Sequence, residues 1–253
     1  MPDGTLRPVT SALRARIARL EGGAERMSAA LPFGVPPLDR RLPGGGLALG
    51  CLHEVAGGSS GAGDVAAAAC FAAGIAARTQ GRVLWCILQQ DLFAPGLEQA
   101  GLPPDRVIHV EAGDDISVLA CMEEGLRHGG LGAVVAETAR LPMTASRRLH
   151  LAAKESGTIG IALRHWRRQA DAGDFGQPTA AMTRWRVSVL PSRPLPVPGV
   201  ARARWRIELL RARAGDPFDI ELEACDGSGH LGLPADMADG PAATTGGRHS
   251  AAG

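Results

Sequence analysis

Residues 83–88, Val-Leu-Trp-Cys-Ile-Leu, are apolar without a break, and a strand with no polar position has to be buried on both of its faces. An interior strand of a sheet covered by helices on each side meets that demand, so this hexapeptide selects an α/β architecture. Its neighbours agree. Residues 51–56 read as a second buried strand and residues 133–136 as a third that ends at Glu137, with shorter strands at 107–111 and 158–163. Helical stretches fall between them at 66–78, 94–100, 115–128 and 146–156, the first of them rich in alanine, the best helix former. The alternation predicts a mostly parallel sheet flanked by helices.

After His165 the pattern changes. RWRVSV (184–189), RWRIEL (204–209) and DIELEA (219–224) alternate polar with apolar residues, which predicts half-exposed antiparallel strands appended on the C-terminal side. The four prolines of 191–198 make the first connection a stiff loop rather than a tight hairpin. At period two, Trp185, Val187 and Val189 share one face, as do Trp205, Ile207 and Leu209, which places the tryptophans in the core. The alternate arginines Arg184, Arg186, Arg204 and Arg206 then point outward. Together with Arg164, Arg167 and Arg168 of the RHWRR cluster they form a candidate contact surface, for DNA phosphates or for an acidic patch on a protein.

Three regions result: residues 1–30, an amphipathic helix and linker; residues 31–234, the main domain; residues 235–253, a small, polar, glycine-rich tail expected to be disordered. In the first, Leu13, Ile17 and Leu20 recur at helical spacing and form a stripe suited either to the chain's own domain or to a partner.

Composition narrows the function classes. A net charge of +1 over 253 residues supplies no bulk attraction to nucleic acid or membrane. No run of 18 apolar residues occurs and the N-terminus lacks an unbroken apolar stretch, so a cytoplasmic location is expected. Cys51, Cys70, Cys86, Cys121 and Cys225 contain no CxxC pair and read as free thiols of a reduced compartment. His53 and His109 read as structural histidines, and no metal site is expected. The pairs Asp114-Asp115 and Glu123-Glu124 read as solvated helix faces.

The remaining feature is GGSSGAGDV (57–65), between a buried strand and the alanine-rich helix. A phosphate-binding loop of the form GxxxxGK[ST] uses glycines to converge backbone N–H groups on phosphate oxygens, a lysine to meet the β and γ phosphates, and a hydroxyl to hold magnesium. Here Gly58 and Gly63 have the spacing, but Asp64 stands at the lysine position and Val65 at the hydroxyl position. Lys154 is the single lysine of the chain. A carboxylate repels a triphosphate and valine offers a hard cation nothing. The loop alone is either a plain glycine turn or a phosphate loop that has lost its function.

The flanks decide between these. LPFGVPPLDRRLPGGGLALGCLHEVAGG (31–58) resembles the RecA superfamily pattern of a turn, a Leu-Asp pair, a triple glycine and a strand ending in Glu-hydrophobic before the loop. Within it the chain resembles the ImuA family of damage-inducible mutagenesis proteins, the core from about 31 to 165 as RecA-like and the Arg/Trp strands beyond as ImuA-like. The resemblance implies a RecA-like fold in which Glu137 corresponds to the acidic magnesium residue and Gln90 stands where active ATPases carry the water-activating glutamate. An amide takes no proton from water, so it implies a non-catalytic protein without cofactor. It further implies a role as adaptor in SOS-induced, error-prone translesion synthesis. Its expected partners are an ImuB-like protein, an error-prone DNA polymerase and RecA, with weak or indirect DNA contact and no membrane. The alternatives are a SulA-like cell-division inhibitor, which shares the ancestry, and an active RecA-type ATPase.

Overall fold

The structure, a computed structural model, describes residues 29–166, 174–192, 194 and 198–234. Leu13, Ile17, Leu20, Arg167 and Arg168 lie outside these residues, as does the tail beyond 234. The chain enters through β1 (Ala30–Leu31), a short helix α1 (Pro36–Asp39) and β2 (Leu47–Ala48), with β1 and β2 pairing antiparallel. The main sheet then alternates with helices: β3 (Leu52–Gly57), α2 (Ala62–Ala77), β4 (Val83–Ile87), α3 (Ala94–Gln99), β5 (Val107–Glu111), α4 (Asp115–His128), β6 (Ala133–Thr138), α5 (Met143–Ser156) and β7 (Ile159–Arg164). β8 (Thr183–Leu190), β9 (Arg204–Ala212) and β10 (Phe218–Glu223) complete it.

The eight strands run in the order β10-β9-β8-β3-β7-β6-β4-β5. From β8 to β5 every neighbouring pair is parallel, and β8, β9 and β10 are antiparallel to one another. The unbroken apolar strands occupy the centre: β3, β6 and β7 are buried along their whole length. α2 covers one face of the sheet, while α4 and α5 cover the other. On the α2 face the core joins Phe33, Phe71, Trp85, Trp185 and Trp205, and on the other face Leu52, Met122, Leu126 and Leu149. Phe33, Phe71 and Trp185 pack ring to ring, with centroids 5.7–6.0 Å apart, so the tryptophans expected in the core are there.

Local chemistry sets the helix ends. Asp114 caps α4, its carboxylate accepting from the N–H groups of Ile116 and Ser117 at 2.9 Å each, and Gly129 ends the helix in the left-handed conformation that glycine adopts without strain. Asp115 accepts from the Thr138 hydroxyl and the Ala139 N–H at the end of β6. Glu123 is buried and paired with Arg127 and Arg148. The acidic pairs on α4 are thus not a uniformly solvated face. Among the described residues no helix is long and apolar enough to cross a membrane.

Candidate functional site

The glycine loop links β3 to α2 at the carboxyl end of the parallel strands, where open α/β sheets bind their ligands. α2 starts at Ala62, with Gly61 as its cap residue, so the helix begins inside the glycine segment rather than at residue 66. Asp64 falls in the first turn, where the positive end of the helix dipole favours a carboxylate. One carboxylate oxygen accepts from the backbone N–H of Val189 on β8 at 2.8 Å, and the other accepts from the Ser59 hydroxyl at 2.6 Å. Two loop N–H groups are also spoken for: Gly58 donates to the Val187 carbonyl at 2.8 Å and Gly61 to the Ser59 hydroxyl at 3.1 Å.

The loop is therefore fastened to β8 by Gly58 and Asp64. A Cβ at Gly58 would come within 2.0 Å of the Ser188 hydroxyl oxygen, so the two backbones approach closely there. A magnesium-bound triphosphate needs free convergent N–H donors, a cation and a hydroxyl. The residues present do not fit it: the lysine position carries a carboxylate already hydrogen-bonded within the protein, and Val65 has no oxygen to offer.

Glu137, at the end of β6, is 5% exposed. Its Oε1 accepts from the Trp85 indole N–H at 2.9 Å, and its Oε2 lies 3.9 Å from His165 Nδ1. Between α2, the 91–97 segment and the ends of β6 and β7 lies a cavity of about 420 Å³, lined by Val65, Ala66, Leu97 and Leu163 together with Asp91 and Glu137. Gln90 is exposed and does not line it. The strand-end residue that reaches this cavity is its neighbour Asp91.

The arginine surface expected from the sequence requires correction. Arg164 and Arg184 are buried, 3% and 7% exposed. Both turn to Glu54 in the middle of β3, which is wholly buried: Arg164 Nη1 donates at 2.9 Å and Arg184 Nη2 at 3.0 Å. Arg164 also pairs with Asp174 and donates to the Ala139 carbonyl, Thr179 donates to Glu54, and the Phe175 ring lies 5.8 and 5.2 Å from the two guanidinium carbons. The physical reason is that residues 174–182 fold over this face, which the strand alternation alone leaves open. A carboxylate in a strand buried on both faces needs a cation, and Glu54 was that signal in the sequence.

Arg186, Arg204 and Arg206 do lie on the outer face, but each has a carboxylate. Arg186 holds Glu208 in a two-pronged pair at 2.7 Å, Arg204 meets Glu221 at 2.7 Å and Arg206 meets Asp219 at 3.1 Å. The acidic positions of β10 supply the charge that the β9 arginines need. The outer face is a lattice of cross-strand ion pairs rather than a basic patch.

His53 is buried and fully engaged. Trp185 donates its indole N–H to the Thr183 hydroxyl, which donates to His53 Nδ1 at 2.7 Å, while His53 Nε2 donates to the Ala48 carbonyl at 2.8 Å. Burial holds its pKa down at about 4, helped by nearby His150. His109 is exposed on the edge strand β5. Burial pushes the thiols of Cys86 and Cys225 up to about 12, which keeps them protonated and unreactive.

The chain is 37% identical over 221 residues to Protein ImuA of Caulobacter vibrioides, in strain NA1000 / CB15N and equally in strain ATCC 19089 / CIP 103742 / CB 15, covering 83% of this chain and 89% of the relative. The chain belongs to the ImuA family. Over a shorter stretch, residues 76–160, it also matches the family described as cell division inhibitor SulA. Among solved structures it is similar to the RadB recombinase, with a TM-score of 0.55 and 16% identity over 81% of this chain and 99% of that one. That likeness establishes a RecA-like fold for this ImuA-family chain. In RecA-like terms, the three antiparallel strands extend the parallel core on the β3 side, and the ImuA glycine loop is tied to the first of them.

Proposed function

We propose that this ImuA-family chain acts in DNA-damage-induced mutagenesis as a non-catalytic adaptor. Its role is to hold an ImuB-like protein and an error-prone polymerase together during SOS-induced translesion synthesis. The observation that carries the reading is Asp64: a carboxylate in place of the phosphate-binding lysine, bonded to Val189 and Ser59. An active RecA-type ATPase needs the opposite charge at that position. The adaptor reading is supported by a RecA-like frame whose glycine loop carries Asp64 and Val65 at the lysine and hydroxyl positions of a phosphate loop. The test is co-purification of the ImuB-like protein with the intact chain, alongside calorimetric titration with magnesium ATP. Association without nucleotide binding is expected, and tight ATP binding or the absence of any association overturns the reading.

A second reading, inhibition of the cell-division apparatus, is favoured by the SulA match over residues 76–160. The ImuA relative covers far more of the chain, and β8, β9 and β10 lie beyond the SulA match. Filamentation of cells that express the chain without its mutagenesis partners would favour the second reading over the first.

A further inference from the structure

We propose that the cavity beside the glycine loop is a docking pocket for a single arginine side chain of a partner protein, with Glu137 as the group that meets the guanidinium. The proposal rests on the reading of this chain as a binding protein and adds to it the chemistry of one contact. The cavity is about 420 Å³ and opens at the carboxyl ends of β4, β6 and β7, a size within the range of about 300–1,000 Å³ common for ligand pockets. Its walls are apolar, with Val65 and Ala66 of α2 on one side, Leu92 and Leu97 on another and Leu163 beneath. Such walls suit a methylene stem, which buries readily while its charged head finds a partner.

The charged groups of the lining select a cation. The carboxylate that decides is Glu137, with the His165 imidazole beside it in the same lining; Asp91 is engaged elsewhere in the protein, and the guanidinium of Arg164 is directed to Glu54, Asp174 and the Ala139 carbonyl. Glu137 is 95% enclosed, with one oxygen on the Trp85 indole and the other 3.9 Å from His165 Nδ1, beyond hydrogen-bond reach. That second oxygen has acceptor capacity in a desolvated setting, where a charge-assisted bond is strong. Phe93, 70% exposed, belongs to the same lining. An exposed aromatic ring beside a carboxylate matches a guanidinium better than an ammonium, because the planar, weakly hydrated fork stacks on rings and pairs with carboxylates at once. Phosphate is disfavoured by the same carboxylate.

The probe is n-butylguanidinium, the arginine side chain without its backbone, added to the full chain while the Trp85 indole resonance is followed by NMR, with Trp85→Phe used for assignment. A saturable low-millimolar shift is expected. Glu137→Gln, which still accepts from the Trp85 indole, should weaken it by about tenfold or more, and Ala66→Leu, at an exposed position of α2 that narrows the cavity, should abolish it. n-Pentanol, with the stem but no charge, should bind more weakly by a similar factor. No saturable shift, an unchanged affinity in Glu137→Gln, or equal binding of n-pentanol overturns the proposal. Magnesium ATP is the separating arm: a saturable ATP response at Trp85 overturns the non-catalytic reading itself, whereas silence to both ATP and n-butylguanidinium overturns the arginine pocket alone.

Discussion

The carboxylate of Asp64 accepts the backbone N–H of Val189 at 2.8 Å, across 125 residues of sequence. That bond joins the parallel core to the appended antiparallel strands. Asp64 also takes the Ser59 hydroxyl, so Asp64→Ala removes two hydrogen bonds at a half-buried site. The expected loss is about 1–2 kcal/mol, read in a chain of this size as a fall in Tm of about 2–8 °C. Asp64→Lys with Val65→Thr should lose the same stability and gain no ATP hydrolysis, because the Gly58 N–H stays committed to the Val187 carbonyl instead of facing a phosphate. Calorimetry on the three proteins measures the first effect, and phosphate release the second.

Glu54 lies between two buried guanidinium groups, those of Arg164 and Arg184. Replacing it with glutamine leaves two cations enclosed with one fewer anion, since among the described residues Asp174 alone remains beside Arg164. Breaking a buried pair from one side destabilises by about 3–5 kcal/mol. Glu54→Gln should therefore lower the denaturant midpoint far more than Asp64→Ala. Adding Arg184→Met to Glu54→Gln should recover part of the loss by removing one unpaired charge, and no recovery would argue against charge as the cause.

Much of the frame was legible in the sequence because it follows from burial. An unbroken VLWCIL has one place in a sheet, and period two put Trp185 and Trp205 in the core, where both are found. The start of α2 was not legible, since Gly61 and Gly63 read as turn by propensity, although Gly63 lies in the first helical turn, which Asp64 ties to β8. Period two also placed Arg184 opposite Trp185 correctly, yet it carries no information about what covers the far face. There Phe175 and Thr179 come from the connection between β7 and β8. The pairing of Arg204 and Arg206 with Glu221 and Asp219 was available in the alternating acids of DIELEA and needed only the strand order to be seen.

The buried His53 sets a pH dependence whose sign follows from its folded pKa of about 4 against an ordinary 6.5. The native state keeps the ring neutral while the unfolded chain binds a proton between those values, so stability is complete above about 6.5 and falls as pH drops toward 4. The full effect is about 3 kcal/mol. Carboxylates contribute mainly below this window. Denaturant midpoints measured at pH 7 and pH 5 should differ in the native sequence. His53→Gln should be less stable at pH 7 but show a much smaller difference between the two conditions.

The outer face of β8, β9 and β10 offers the sharpest test of whether DNA or protein is the direct ligand. Arg186, Arg204 and Arg206 already hold Glu208, Glu221 and Asp219, and a phosphate would have to displace a carboxylate at each position. The hydrogen bonds of the Arg186–Glu208 pair raise the pKa of the arginine and lower that of the glutamate, the signature of mutual stabilisation. Exposed pairs contribute about 0.2–1 kcal/mol each, so the triple Arg→Ala variant should fold with only a modest drop in stability. A free arginine that binds phosphate lowers the slope of log affinity against log salt by about one when removed. For these three the combined change should stay below one unit, with single-stranded DNA binding weak in both proteins. Removing the acids instead, with Glu208→Gln, Asp219→Asn and Glu221→Gln together, frees three guanidinium groups on one face. That variant should bind single-stranded DNA more tightly and with a steeper salt dependence than the native chain. Equal binding by the native chain and the acid-free variant would mean that the ion-pair lattice does not shield this face from nucleic acid.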